Sequence, residues 1–136
     1  MQFMLDTNIC IYLIKKKPAE VLERLRTLPL GEAGISVITL AELTYGIAKS
    51  SQPERNQDAL NGFLSPIEIA PFDNLAAFHY GEIRAYLEQQ GKPIGSLDLL
   101  IAAHAKSLNT TLITNNLREF NRIPGLQIDN WVGVAI

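Results

Sequence analysis

Apolar and polar positions change period repeatedly along this chain, and the changes divide it into alternating short strands and helices. Phe3-Met4-Leu5 runs straight into Asp6-Thr7-Asn8, which predicts a buried strand passing into a helix over residues 8–16. Ile9, Tyr12 and Leu13 share one face of that helix, Lys15-Lys16-Lys17 ends it, and Pro18 opens a second helix with Val21, Leu22, Leu25 and Leu28 on one face. Pro29 and Gly31 stop it. Residues 34–38 are short and β-branched, a second strand. Thr39 then opens a helix over residues 40–47, and another follows from Pro53 with Leu60, Phe63 and Leu64 on its face. Residues 67–70, between Pro66 and Pro71, form a third strand.

Asp73 caps a long amphipathic helix with Ala76, Ala77, Tyr80, Ile83 and Leu87 on its buried side, closed by Gly91. Ser96 is the expected N-cap of a helix over residues 97–108. A fourth strand is predicted over 110–114, a short helical turn over 115–122 and a short last strand over 126–128. Strands and helices alternate throughout, which implies an α/β fold with a mostly parallel sheet of four or five strands, covered on both faces.

Length and composition narrow the class. With 136 residues and 47% hydrophobic content the chain suits one domain over residues 1–136. A net charge of −2 argues against nucleic-acid binding through a broad basic surface, while leaving room for a local basic groove or an acidic site that reaches phosphate through metal ions. The single cysteine, Cys10, can form no internal disulfide. No stretch is long enough to span a bilayer and no long apolar leader opens the chain, so a cytoplasmic protein is expected.

Parallel strands joined by right-handed crossovers bring their strand-to-helix junctions to one edge of the sheet. Asp6, Glu42 and Asn116 follow strands one, two and four, and Asp98 lies in the first turn of its helix, so all four converge on that edge. Each also has a purely local explanation. Asp6 and Asn116 are good helix N-caps, Asp98 suits the positive end of a helix, and Thr39-Leu40-Ala41-Glu42 spells a capping box. Their joint placement favours chemistry, because two carboxylates about 5 Å apart repel by roughly 3 kcal/mol at an effective dielectric near 20. Such a cluster suits a hard divalent cation such as Mg²⁺ or Mn²⁺, which prefers carboxylate and water oxygens.

Other chemistries fit less well. There is no glycine-rich dinucleotide or P-loop motif, His79 and His104 stand alone on helices as packing or surface residues, and Cys10 on an apolar face suits the core. A phospho-acceptor receiver domain would need paired acids after strand one and a lysine after the last strand, and neither is present.

Four blocks of sequence resemble the PIN-domain ribonucleases, and within them the VapC toxins of bacterial type II toxin–antitoxin modules. They are Met4-Leu5-Asp6-Thr7-Asn8-Ile9, Thr39-Leu40-Ala41-Glu42-Leu43 with Tyr45-Gly46, Pro93-Ile94-Gly95 with Asp98 and Ile101-Ala102, and Leu112-Ile113-Thr114-Asn115-Asn116 with Arg118-Glu119-Phe120. The resemblance covers nearly the whole chain and implies a three-layer α/β/α sandwich. It implies that Asp6, Glu42 and Asp98 are catalytic metal-site acids, with Asn116 at the fourth acidic position of many PIN domains. That substitution removes a charge, which Glu119 partly replaces; Thr7 and Thr114 resemble supporting hydroxyls. The activity implied is Mg²⁺-dependent endoribonuclease cleavage of RNA, tRNA foremost, with Mn²⁺ as a possible substitute and a VapB-type antitoxin as inhibitor. Homodimers and toxin–antitoxin hetero-oligomers are implied as well. A local RNA groove would draw on Lys15, Lys16, Lys17, Arg84 or Lys92. The alternatives are a PIN-fold nuclease acting on rRNA, mRNA or DNA, and a non-catalytic PIN-like binding module.

Overall fold

The structure is a computed structural model that describes residues 1–133, so the last three residues of the expected 1–136 domain lie outside the described range. The chain runs β1 (Phe3–Leu5), α1 (Thr7–Lys15), α2 (Ala19–Arg26), β2 (Ala33–Ser36), α3 (Val37–Ala48), α4 (Pro53–Leu64) and β3 (Glu68–Ala70). It continues through α5 (Asn74–Gln89), α6 (Ser96–Ser107), β4 (Thr111–Ile113), α7 (Leu117–Phe120) and β5 (Gln127–Asp129). The strands form one sheet in the order β3-β2-β1-β4-β5, and every neighbouring pair is parallel.

Strand alternation sorts the core into two layers. Met4 and Leu112 face one side, where they pack with Ile83 and Leu87 of α5, Leu99 and Ile101 of α6, and Phe120 of α7. Their neighbours Leu5 and Ile113 face the other side, joining Ile9, Leu13, Val21, Leu43 and Leu60 from α1 to α4. Side chains on a strand alternate between faces, so a three-residue strand serves both layers at once. The result is the α/β/α sandwich expected. Cys10 is fully buried in the second layer, as its apolar setting suggested, and burial raises its thiol pKa well above the usual value.

Several boundaries follow from identifiable caps. Asp73 opens α5, its Oδ1 accepting from the Ala76 N–H at 3.0 Å. Lys16 ends α1 in the left-handed conformation at φ 60, its amide returned to the Leu13 and Tyr12 carbonyls. α1, α2 and α7 start within two residues of expectation, at Thr7, Ala19 and Leu117, and two further starts differ in their caps. α6 begins at Ser96 itself, with Gly95 in the cap position and no side-chain cap bond. α3 begins at Val37, because the Ser36 hydroxyl accepts from the Ile38 N–H at 3.0 Å and turns the chain into a helix at the end of β2. Among the described residues no helix is long and apolar enough to cross a membrane.

β1 stands at the centre. The chain lays β2 and β3 to one side of it, then returns past it to place β4 and β5 on the other. The reversal falls between β1 and β4, paired through Phe3, Met4 and Leu5 with Thr111, Leu112 and Ile113. Open α/β sheets bind ligands in the crevice beyond the carboxyl ends of the strands at such a reversal.

Candidate active site

β1 delivers Asp6 to that crevice. Its amide still donates to the Ile113 carbonyl at 3.0 Å, so it sits at the last ladder position. Its carboxylate caps α1, Oδ1 accepting from the Ile9 N–H at 2.9 Å. The Thr114 side chain bonds the same carboxylate. Asp6 is therefore both a helix cap and a member of the site. Only 5% of its surface is exposed, and burial raises its pKa, with hydrogen bonds from Thr114 and Ile9 opposing the shift and the Glu42 charge adding to it.

Glu42 approaches from α3. Because Ser36 is the cap, Thr39 sits at the third helical position and Glu42 at the sixth, too far along for a capping box, in which the glutamate occupies the third position. Glu42 instead accepts through Oε1 from the Thr7 hydroxyl at 2.7 Å, across 35 residues of sequence. Thr7, one residue after Asp6, thereby ties α3 to the end of β1.

Asp98 lies at the third position of α6, in its first turn as expected. Burial, followed by the charge and hydrogen bond of Glu119 and the charges of Asp6 and Glu42, pushes its carboxyl up to about 7. Glu119 is fixed from two sides: Oε1 accepts from the Gly95 N–H at 3.3 Å and Oε2 from the Asn116 side-chain amide at 2.6 Å. Asn116 occupies the cap position of α7 but makes no side-chain cap bond, and its backbone N–H donates to Thr114 Oγ1 at 2.9 Å.

The structure thus brings Asp6, Glu42, Asp98 and Glu119 together electrostatically, while Asn116, exposed, directs its amide at Glu119. The acid nearest the fourth position is Glu119. The signal for it is its spacing, three residues or one helical turn beyond Asn116, which lets the shorter side chain hold the longer one.

Among the described residues no three Asp, Glu, His or Cys side chains converge tightly enough to ligate an ion as they stand. Mg²⁺ demands less than that, because it keeps most of its waters and takes one or two carboxylates from the protein. The donors here are carboxylate oxygens, with hydroxyls behind them and no thiol or imidazole beside them. Burial and neighbouring acids raise the pKa of Asp6 and of Asp98, a cost that a cation would offset, so the donor set fits a hard divalent ion.

Beside the site runs a groove of about 320 Å³ between α1, α3 and α4, with Thr7 and Glu42 at its mouth and Ile11, Ile14, Ile47 and Leu60 along its walls. Lys15 also lines it; Lys16, Lys17 and Lys92 are exposed, and Arg84 is engaged by the Tyr80 hydroxyl at 2.8 Å and Glu88 at 3.1 Å.

A parallel sheet in this order, with helices on both faces, places the chain in the open α/β class, and the PIN domain family matches the chain over residues 3–126. Relatives span almost its whole length. The tRNA(fMet)-specific endonuclease VapC of Shigella flexneri is 50% identical over 131 residues, covering 96% of this chain and 98% of that protein. Ribonuclease VapC2 of Rickettsia felis is 51% identical over 132 residues, covering 96% and 98%. Among solved structures, VapBC2 of Rickettsia felis bound to a DNA fragment from their promoter superposes with a TM-score of 0.91 at 50% identity, covering 96% of this chain and 99% of that one. DNA-bound VapBC of Salmonella typhimurium gives the same TM-score, 0.91, at 49% identity, with 96% and 98% covered. The chain belongs to the PIN-domain family and, within it, to the VapC ribonucleases.

Proposed function

We propose that this protein is the toxin of a type II toxin–antitoxin pair: an Mg²⁺-dependent endoribonuclease that cuts tRNA by phosphodiester hydrolysis. The observation that carries it is the cluster of acids beyond the β1 and β4 ends, where Asp98 is bonded to Glu119 and lies in the field of Glu119, Asp6 and Glu42. The tRNA(fMet) specificity of the Shigella flexneri relative supports tRNA as the substrate class.

Asp6 and Asp98 would hold the ion directly or through its waters and Glu42 through a water, with Mn²⁺ able to substitute. When bound, the ion acidifies a water and offsets charge on the scissile phosphate. The chain's own residues do the rest. Thr7 fixes the Glu42 carboxylate, Thr114 and the Ile9 amide fix that of Asp6, and the Gly95 and Asn116 donors fix that of Glu119. Asp98, its carboxyl pushed up to about 7 by burial and by the neighbouring Glu119, is the acid suited to take a proton from an attacking water near neutrality.

The groove beside Glu42 suits an apolar segment of a VapB-type antitoxin, whose docking there would block the mouth of the site. The solved VapBC complexes of relatives support such a partner. Homodimers and toxin–antitoxin hetero-oligomers complete the proposal, and a cytoplasmic location, where the substrate is, goes with it.

The test is cleavage of purified total tRNA by the isolated protein with Mg²⁺ or EDTA, beside Asp6→Asn. Discrete fragments that need both the metal and Asp6 are expected. Cleavage of rRNA, mRNA or DNA in place of tRNA would move the substrate; no cleavage of any nucleic acid would leave a binding module.

A further inference from the structure

His104 is fully enclosed, on the face of α6 that meets the start of α3. Its Nδ1 lies 2.7 Å from the Ser36 hydroxyl, across 68 residues of sequence. Ser36 Oγ already accepts from the Ile38 N–H at 3.0 Å, so its single proton is free to be donated to the ring. Nδ1 then accepts, and the ring proton sits on Nε2, which forms no hydrogen bond of good geometry and has the Pro71 backbone as its nearest acceptor. Phe72 stands edge-on to the ring with centroids 5.3 Å apart and an interplanar angle of 72°. Burial, opposed by the Pro71 backbone and the Asp73 charge, lowers the ring's pKa, which keeps it neutral and able to accept.

Stability does not account for this side chain. An enclosed ring nitrogen with only a poorly formed hydrogen bond costs free energy, and an apolar side chain of similar volume would fill the same space without that cost. Departures of this kind concentrate where function requires them. The partner identifies the function. Ser36 is the last residue of β2, paired with Ala70 of β3, and α3 follows with no intervening loop. The direction of its hydroxyl therefore decides how α3 leaves the sheet, and α3 carries Glu42.

We infer that His104 is a positioning residue for phosphodiester cleavage: through the Ser36 hydroxyl it fixes the start of α3 and so places the Glu42 carboxylate relative to Asp98 on the helix that carries His104 itself. The inference rests on the metal-dependent ribonuclease assigned above. His104 touches no reacting atom. It joins the two helices that bring acids to the site from opposite layers of the sandwich.

The experiment compares wild type, His104→Leu, His104→Asn, Ser36→Ala and the double variant His104→Leu/Ser36→Ala. Each is measured for kcat and KM on tRNA over a Mg²⁺ titration, for urea midpoint, and for exchange of the Ile38 amide by NMR. His104→Leu keeps volume and removes the acceptor, whereas His104→Asn returns an oxygen near the position of Nδ1. The expected result is a kcat about tenfold lower in His104→Leu and Ser36→Ala with KM little changed, since small displacements of a catalytic group act on the chemical step. The double variant should fall no further than either single one, His104→Asn should recover most of the rate, and the Ile38 amide should exchange faster in His104→Leu than in wild type. Wild-type kcat in folded His104→Leu, losses that multiply in the double variant, or equal rates for Leu and Asn would each overturn the inference. Should His104→Leu not fold, Ser36→Ala and His104→Asn decide it: a wild-type rate in Ser36→Ala overturns it, and a tenfold loss there with His104→Asn near wild type supports it. A wild type that cleaves nothing would defeat the functional assignment, and Ile38 exchange would still report whether the His104–Ser36 link holds α3.

Discussion

Asp6 performs two tasks that substitutions can separate. Its Oδ1 caps α1 by accepting from Ile9 at 2.9 Å, and the same carboxylate is the centrally placed acid of the site. Asn keeps an acceptor in the cap position and caps about as well as Asp. If its NH₂ stands toward Thr114 the hydroxyl must turn from donor to acceptor, which costs at most about 1 kcal/mol. Opposing this, Asn removes a carboxylate that is 5% exposed and lies under the field of Glu42. The two effects offset, and Asp6→Asn should remain within about 1 kcal/mol of wild-type stability. Ala loses the cap in addition, so Asp6→Ala should be about 1 kcal/mol less stable than Asp6→Asn. On the proposed metal role of Asp6 both variants lose a ligand oxygen, and cleavage should fall by at least about 100-fold in each.

Urea unfolding in EDTA gives the stability order, and initial rates on tRNA in saturating Mg²⁺ give activity. The decisive comparison is the pattern: stability distinguishes Asn from Ala while activity does not. Folded Asp6→Asn cleaving within a few-fold of wild type would refute the role of Asp6 in the chemistry. Equal stability of Asn and Ala would refute the cap.

Three further outcomes follow from the same geometry. Thr7→Val removes the 2.7 Å donation to Glu42 with almost no change of shape, and should cost about 1 kcal/mol in urea unfolding and roughly tenfold in cleavage rate, through an acid left free to rotate. Asp98 holds its proton to about pH 7 in the folded protein against an ordinary value of 3.8, so the folded state binds the extra proton between these limits and metal-free stability should fall as pH rises from about 4 to 7. The full shift would correspond to about 4 kcal/mol, which solvent screening at a half-buried carboxyl reduces to about 1–2 kcal/mol; Asp98→Asn should recover that amount at pH 8 and flatten the profile, as urea midpoints at pH 5 and 8 in EDTA will show. Glu119→Gln should reduce single-turnover cleavage more than Asn116→Ala does, because Asn116 acts by holding Glu119 at 2.6 Å; the reverse order would make Asn116 the fourth member of the site.

What could be read from the chain depended on how far each signal had to reach. Phe3–Leu5 ending in Asp6, and Asp73 before the long α5, are local patterns in which one cap residue and one apolar period settle the element. The sheet order was legible only as alternation, which gave parallel pairing but not the place where the strand order reverses. The start of α3 was misplaced for a physical reason. Val37 and Ile38 are β-branched and extend a strand pattern, but the Ser36 hydroxyl captures the Ile38 amide and overrides that preference. The error carried a false capping box with it, since Glu42 looks like a cap partner only when Thr39 is the cap.

The contacts that hold Glu119 and the buried histidine were hidden for a different reason. Glu119 gains its place from the Gly95 amide 24 residues earlier, and His104 from Ser36 68 residues earlier, and neither contact leaves a period in the sequence. Sequence periodicity reports which face of an element is buried, whereas a site is built from side chains that leave the same edge of different elements. The two kinds of information meet at helix starts. Asp6, Ser36 and Asp98 all lie within a turn of one, and each is explained locally by the helix it opens. Residues that bring a helix to the edge of a sheet are therefore placed to act on whatever binds there, and the Asp6 carboxylate caps α1 through Oδ1 while lying in the field of Glu42. In this chain the local explanation of a polar residue carries little weight against its role in the site, and substitutions that preserve the cap are the ones that separate them.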